Sequence, residues 1–245
     1  MEEMKIHTAG DSSVLIEFGQ EISPEINAKI TAFVHLMKAQ HVEGVKDMIP
    51  AFTSLLINYD PRVVNYGALK ERLEKRLTEQ LGQVETETAP SRIFDIPVCY
   101  GGEYGPDLEN IAMHANLSTQ EVIDIHSSED YLIYMLGFLP GFSYLGGLDE
   151  RIHTPRLANP RIKIPAGSVG IGGSQTGIYP LDSPGGWQLL GLTPVKTYDP
   201  NREIPILFEA GDYIHFVPVT EKDFLEIKEQ VNQGTYECVI RQKGV

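Results

Sequence analysis

Cysteine is scarce in this sequence, which has only Cys99 and Cys238 among its 245 residues. That number excludes the disulfide framework of small secreted domains and leaves room for a single bridge at most. The sequence also has no Cys-x-x-Cys pair, and its seven histidines do not recur at the short spacing of a metal-ligating set. We therefore expect two buried thiols, a reducing compartment and no metal site.

Positive charge and long apolar runs are also lacking. Twenty Lys and Arg residues face 34 Asp and Glu residues, and the resulting net charge of −14 repels nucleic acid and anionic membranes. The longest apolar runs, residues 53–57 and 131–136, are far shorter than the ~20 residues that span a bilayer. The two glutamates after Met1 do not resemble the basic start of a signal peptide. These absences predict a cytoplasmic protein that binds neither nucleic acid nor membranes.

The composition is otherwise that of a globular protein, with 42% hydrophobic and 22% charged residues. From the N-terminus, two strand-like runs, a helix starting at Ser23 and Pro24, two more strands and a leucine-striped helix follow one another. This order, ββαββα, predicts a small α/β domain over residues 1–88. Residues 82–91 are polar and lack an apolar period, which is typical of a linker.

The second predicted domain covers residues 89–245 and is mostly β. Its first part holds strand-like runs and two short helices, one opened by Pro106 and one by a capping-box pattern at Ser118. Over residues 137–218 the helical period disappears, and glycine and proline break short apolar runs, as is typical of a β-barrel or sandwich. A closing helix is predicted over residues 221–231.

The most unusual stretch is residues 137–194, which hold 12 of the 23 glycines and 7 of the 16 prolines but only seven charged residues. Glycine permits close backbone approach and proline fixes φ, so the stretch specifies the rigid, irregular backbone that builds binding sites. Rings among such turns suit small-molecule pockets and protein interfaces alike. The alternative is that a barrel needs tight turns anyway. The aromatic candidates are Phe138, Phe142, Tyr144, Tyr179 and Trp187.

A local basic excess in this acidic protein is formed by Arg156, Arg161 and Lys163. A guanidinium presents a planar pair of donors to a carboxylate or a phosphate, so the arginines are candidates for binding an anion. Salt bridges to surface carboxylates are the alternative interpretation.

A glycine-rich loop is predicted over residues 165–177, with Gly167, Ser168, Gln175 and Thr176 as candidates for substrate binding. The backbone N–H groups of such a loop could surround an oxyanion. The loop is not a nucleotide-binding P-loop, because the lysine and hydroxyl residue that must follow its last glycine are absent.

Three residues are weak candidates for catalysis. His126 could act as an acid or base, Asp182 as a general base and Ser168 as a nucleophile. Ser168 lacks the first glycine of a nucleophile elbow, and no triad partner can be assigned. A structural role is the alternative for each, since lone histidines are more often core or surface residues.

Five motifs together resemble a single family. They are IPAFTSL at residues 49–55, IPVCYGGE at 96–103, GFLPGFSYLGG at 137–147, IPAGSVGIGGSQTGIYP at 164–180 and SPGGWQLLGLTP at 183–194. The family is that of the 5-oxoprolinase B subunit, also called allophanate hydrolase subunit 1 or the sporulation kinase A inhibitor family. This resemblance implies an α+β protein in which a small N-terminal α/β domain precedes a cyclophilin-like β-barrel domain. The term describes a fold and not an activity.

The resemblance also implies a share in the ATP-dependent cleavage of 5-oxo-L-proline to L-glutamate, together with 5-oxoprolinase subunits C and A. ATP would be bound by the complex rather than by this chain, which is expected to be inactive alone. The lactam-binding surface would then comprise Phe138, Phe142, Tyr144, Arg156, Arg161, Gly167, Ser168, Gln175, Thr176, Tyr179, Gly185, Gly186 and Trp187.

Two other functions stay open at this point. The first is inhibition of a sporulation-type sensor histidine kinase by docking on its dimerisation helices. The second is the carboxyltransferase-like half of a biotin-dependent urea carboxylase.

Overall fold

The computed structural model describes residues 4–81 and 91–243, and the chain divides into two compact units, Met1–Ala89 and Pro90–Val245. Most of the predicted linker, residues 82–90, lies outside the described residues. No helix in the described part of the chain is both long and apolar enough to cross a membrane.

The N-terminal unit is a four-stranded antiparallel sheet with two helices. Its elements are β1 (Lys5–Thr8), β2 (Ser13–Glu17), α1 (Pro24–Ala39), β3 (Val45–Pro50), β4 (Ser54–Tyr59) and α2 (Tyr66–Leu81). The strand order is β1-β2-β4-β3, and alternate residues of β2 and β4 are buried because successive side chains point to opposite faces. The Ser23 hydroxyl accepts a hydrogen bond from the Ile26 amide at 3.2 Å, as expected of an N-cap. These elements follow one another in the order ββαββα.

The second unit contains most of the strands. Its elements are β5 (Arg92–Tyr100), α3 (Leu108–Ala115), α4 (Thr119–Ser127), β6 (Asp130–Leu136), β7 (Ser143–Gly146), a short 3₁₀ helix (Glu150–Ile152), β8 (Arg161–Ile164), β9 (Ser168–Gly172), β10 (Gln175–Ile178), β11 (Ser183–Gly185), β12 (Gln188–Leu192), β13 (Tyr213–Pro218), α5 (Glu221–Gln233) and β14 (Val239–Gln242).

Seven of these strands close a barrel in the order β5-β12-β9-β10-β7-β6-β13, with β13 pairing back to β5. The strands β13 and β5 run parallel, and β14 pairs with β5 in the antiparallel direction. The strands β8 and β11 form a separate two-stranded sheet. The barrel core contains fully buried side chains such as Ile96, Val169, Ile171 and Phe216. The expected α+β fold, with a barrel in the second unit, is confirmed.

The start of α3 differs from the prediction at Pro106. The helix begins at Leu108, and Asp107 occupies the N-cap position without making a side-chain capping bond. The Asp107 carboxylate instead accepts hydrogen bonds from the Leu189 amide and from the Arg161 guanidinium, both at 2.7 Å. Asp107 therefore links the start of α3 to β8 and β12 within the second unit, which we call the barrel unit.

Candidate functional site

The predicted glycine-rich loop is a pair of buried strands. Residues Ser168–Gly172 form β9 and residues Gln175–Ile178 form β10. The strand β9 lies between β10 and β12, so both of its edges are used by the sheet, and the Gly167 amide donates to the Tyr179 carbonyl at 2.7 Å. The loop prediction is therefore wrong, and these amides do not form the expected oxyanion cradle, because they bond within the barrel.

The glycines of these strands make room for the Trp187 ring. A Cβ atom on Gly172 would lie 2.3 Å from Trp187 Nε1, and one on Gly177 would lie 2.9 Å from the Ser143 carbonyl oxygen and 3.1 Å from Trp187 Cζ3. The contacts with Trp187 Nε1 and with the Ser143 carbonyl oxygen are shorter than a real Cβ atom makes, so a side chain at either glycine would force its neighbours to shift. Packing against Trp187, and at Gly177 also against the Ser143 backbone, thus explains these two glycines without a ligand, as the structural alternative proposes.

Three buried rings form the centre of the predicted surface, and we call them the aromatic cluster: Phe142, Tyr179 and Trp187. The ring centroids lie 5.4 Å apart for Phe142 and Tyr179, 5.6 Å for Phe142 and Trp187, and 6.1 Å for Tyr179 and Trp187. All three pairs meet edge to face, which is a favourable geometry for aromatic rings. Burial raises the pKa of Tyr179, so its phenol stays neutral.

Phe138 extends the aromatic cluster to the surface. Its ring centroid lies 5.6 Å from that of Phe142, yet 63% of the residue is exposed and its φ is +64°. A bulky residue in the left-handed region is uncommon and costs about 1–2 kcal/mol. The hairpin between β6 and β7 therefore presents one ring to solvent at an energetic cost.

The two candidate arginines differ in what compensates their charge. Arg161 Nη2 donates to Asp107 Oδ1 at 2.7 Å, and Asp107 is only 3% exposed. Arg156 is exposed, and its Cζ lies 5.9 Å from the centroid of the Trp187 ring, within cation–π range. Across residues 4–81 and 91–243, no carboxylate forms an ion pair with Arg156. Arg161 therefore forms a salt bridge, which was the alternative interpretation of the basic residues. The charge of Arg156 remains available to an anion.

His126 is sealed inside the barrel unit, with no exposed surface. Its Nδ1 lies 2.8 Å from the Tyr100 hydroxyl, and its Nε2 lies 2.8 Å from Thr176 Oγ1. The Thr176 hydroxyl donates its one proton to the Gly170 carbonyl at 3.1 Å, so Nε2 must carry the ring proton and Nδ1 must accept from Tyr100. The ring also stacks on Phe216, with centroids 4.5 Å apart.

Burial determines the protonation states of His126 and Tyr100. It lowers the pKa of His126 to about 3 and raises the pKa of Tyr100 well above its usual range. A neutral histidine bonded at both nitrogens holds α4 to β5 and β10. This arrangement favours the structural alternative over acid–base catalysis.

The other two catalytic candidates are also bonded elsewhere. Asp182 Oδ2 lies 2.7 Å from Lys163 Nζ, and Oδ1 accepts from the Ala166 amide at 2.9 Å. The hydrogen bond from Lys163 lowers the pKa of Asp182, which makes it a weaker base. Ser168 is buried in β9. The structure therefore does not bring His126, Asp182 and Ser168 together as a catalytic group.

The predicted site residues fall into three classes of exposure. The structure buries Phe142, Gly167, Ser168, Thr176, Tyr179 and Trp187 along with His126, leaves Tyr144, Arg161, Gln175, Gly185 and Gly186 half-buried, and exposes Phe138, Arg156 and Asp182. Contact with a ligand is open to the exposed and half-buried residues, whereas the buried ones support them from beneath. Their roles in substrate binding stay predictions.

Two residues that bind the predicted site residues escaped the sequence analysis. Asp107 precedes a helix, which is an N-cap signal, but nothing local links it to Arg161, 54 positions later. Tyr100 lies in the family-like motif over residues 96–103, but its bond to His126 depends on the folded barrel.

The chain is similar to known proteins over nearly its whole length. Residues 4–208 match the family model described as "Carboxyltransferase domain, subdomain C and D". The chain is 45% identical over 238 residues to the 5-oxoprolinase B subunit of Bacillus subtilis (strain 168), covering 93% of this chain and 98% of that protein. The chain belongs to the 5-oxoprolinase B subunit family. A protein of the same name from Escherichia coli O157:H7 is 41% identical over 222 residues, covering 90% of this chain and 99% of that one.

The same fold occurs inside a much larger protein. The solved structure of the Kluyveromyces lactis urea amidolyase matches with a TM-score of 0.80 and 24% identity, covering 98% of this chain and 16% of that chain. At this identity the likeness concerns the fold alone. This chain therefore shares its architecture with a segment of a larger protein.

Proposed function

We propose that this chain is one subunit of an ATP-dependent 5-oxoprolinase, which opens the lactam ring of 5-oxo-L-proline to give L-glutamate. The observation that carries the proposal is the 45% identity to a protein named as the B subunit of 5-oxoprolinase, over 93% of this chain and 98% of that protein. That name also supports a multi-subunit enzyme, and we propose 5-oxoprolinase subunits C and A as the partners.

The chemistry explains why such an enzyme needs ATP. A lactam is a resonance-stabilised amide and a poor electrophile, and the hydrolysis of ATP supplies the driving force for opening it. The glycine-rich segment lacks the P-loop pattern in its sequence, and its strands β9 and β10 use their amides within the sheet, which supports a nucleotide site elsewhere in the complex. We therefore assign the nucleotide site to a partner subunit.

This chain would contribute a rigid part of a composite site. The aromatic cluster provides a packed base, Phe138 an exposed ring, and Arg156 a cation free of carboxylate partners among the described residues. Such a surface can hold and orient a small anionic substrate. The weak catalytic candidates are bonded within the fold, so the reacting groups would come from other subunits.

Reconstitution tests the proposal. The chain is co-expressed with candidate subunits C and A, the complex is purified, and glutamate release from 5-oxoproline is measured with and without ATP. We expect release only when all three subunits and ATP are present, with a complex lacking this chain as the matched control. Turnover by this chain alone would exclude a composite site, and an inactive full complex would exclude the 5-oxoprolinase function.

A second candidate is the carboxyltransferase half of a urea carboxylase. It is favoured by the description of the matching family model and by the likeness to the urea amidolyase fold. The two functions can be distinguished by testing the purified complex with urea and a carboxybiotin carrier instead of 5-oxoproline and ATP. Inhibition of a histidine kinase stays a prediction, which loss of autophosphorylation on adding this chain would support.

A further inference from the structure

We propose that Arg156, held over the Trp187 ring, binds the carboxylate of the lactam substrate and so selects 5-oxoproline over lactams without an acid group. This inference rests on the proposed 5-oxoprolinase function and assigns one part of the site to one residue. Three observations support it: the neighbouring cations are ion-paired, hydrogen bonds fix the backbone beside Arg156, and the Trp187 ring lies beneath the Arg156 side chain.

Arg156 stands out among the cations of residues 137–194. The stretch has four, and three of them are compensated by a carboxylate within the fold. The three pairs are Arg151 with Asp149, Arg161 with Asp107 and Lys163 with Asp182, each with 2.7 Å between nitrogen and oxygen. Among the residues that the structure describes, Arg156 makes no such pair and lies over Trp187 instead. In a protein of net charge −14, an uncompensated guanidinium beside buried rings is a place for an external anion.

The backbone around Arg156 is fixed on both sides. The Leu157 amide donates to the Gly186 carbonyl at 2.7 Å, and Gln188 Nε2 donates to the Pro155 carbonyl at 3.2 Å. Both partners flank Trp187 in sequence, so the same short stretch holds the main chain and supplies the ring. With the backbone fixed, only the Arg156 side chain has conformational freedom to lose when a ligand binds.

The chemistry of the pair suits a carboxylate. A guanidinium can stack its face on an indole ring and still direct two parallel N–H groups to both oxygens of an acid. Lysine has a single compact charge and cannot do both. 5-Oxoproline carries one carboxylate that does not react, so binding it orients the lactam carbonyl without taking part in ring opening.

The test uses the assembled complex with Arg156→Gln and Arg156→Lys. Arg151→Gln is the matched control, because Arg151 is an exposed arginine of the same stretch whose charge is compensated by Asp149. We measure kcat and KM for 5-oxoproline, the dissociation constant by calorimetry without ATP, and complex assembly by size-exclusion chromatography. Loss of a charged hydrogen-bond pair should raise KM and the dissociation constant roughly 10- to 100-fold in Arg156→Gln, with a smaller change in kcat.

Each outcome separates this inference from the proposed function. Weaker binding in Arg156→Gln, a partial effect in Arg156→Lys and unchanged constants in Arg151→Gln would support the assignment. An active wild-type complex with unchanged KM in Arg156→Gln would overturn it and leave the function intact. If the folded Arg156→Gln chain fails to assemble, the arginine meets a carboxylate of a partner subunit and the assignment is wrong. A wild-type complex that neither binds nor cleaves 5-oxoproline would remove both.

Discussion

Mild acid should destabilise the barrel unit through His126. The pKa of this buried group is lowered from 6.5 to about 3. As the pH falls below 6.5, the unfolded chain binds a proton that the folded chain does not. The stability contributed by the neutral ring is therefore complete above pH 6.5 and is lost progressively down to about pH 3.

The size of the effect follows from the two pKa values. An unfolded histidine is about one-quarter protonated at pH 7 and almost fully protonated at pH 5, so the free energy of unfolding should fall by about 2 kcal/mol between them. The ion-paired carboxylates do not contribute to the change between pH 7 and pH 5. Arg151 lowers the pKa of Asp149 from 3.8 to about 2, and Lys163 also lowers the pKa of Asp182, so the stability linked to both is lost at more acidic pH.

The single tryptophan makes the measurement specific. Trp187 is buried in the barrel unit, so its fluorescence during urea unfolding reports on that unit alone. His126→Gln is the matched variant, because glutamine keeps a donor and an acceptor but does not titrate. We expect the change between pH 7 and pH 5 to be smaller by about 2 kcal/mol in the variant. An equal pH dependence in both proteins would refute a buried neutral histidine.

Three further changes test the packing around the site. Gly172→Ala should destabilise the barrel unit by roughly 1–3 kcal/mol in urea unfolding, because the new Cβ would lie 2.3 Å from Trp187 Nε1, and wild-type stability would contradict this packing. Asp107→Ala should lower stability by roughly 3–5 kcal/mol, since it leaves Arg161 and a buried amide unpaired; an unchanged melting temperature would argue against this link. Burial raises the pKa of Cys238 to about 11, so mass mapping should show iodoacetamide alkylation at pH 8 about 100-fold slower in folded than in urea-unfolded protein. Equal alkylation rates would exclude a protected thiol.

Features that depend on neighbouring residues were predictable. The Ser118 capping box is present, with Glu121 as its reciprocal partner, and α5 starts at residue 221 as predicted, with Thr220 as its cap. Caps and apolar periods act within a few residues, so the chain specifies them before any tertiary contact forms. The aromatic candidates over residues 137–194 were likewise recognised from composition, and three of them form one cluster.

The glycine-rich stretch marks the limit of local sequence signals. Loops and buried strands both contain glycine, and residues 168–178 carry no signal that separates them. What decides is the Trp187 ring, which lies against Gly172 and Gly177 and admits no side chain at the first of them. Its packing partners are fixed only when β9, β10 and β12 align.

The sequence by itself determined the composition, the order of helices and strands, the aromatic set and the family motifs, because each is carried by adjacent residues. Only the tertiary structure decided which polar candidates remain available. Asp107 forms an ion pair with Arg161, 54 positions away in the sequence, and Thr176 forms a hydrogen bond with His126, 50 positions away. Both contacts form because barrel closure brings distant strands together. Arg156 receives no such partner among the described residues, and this selects it from two equivalent arginines as the one left for a ligand.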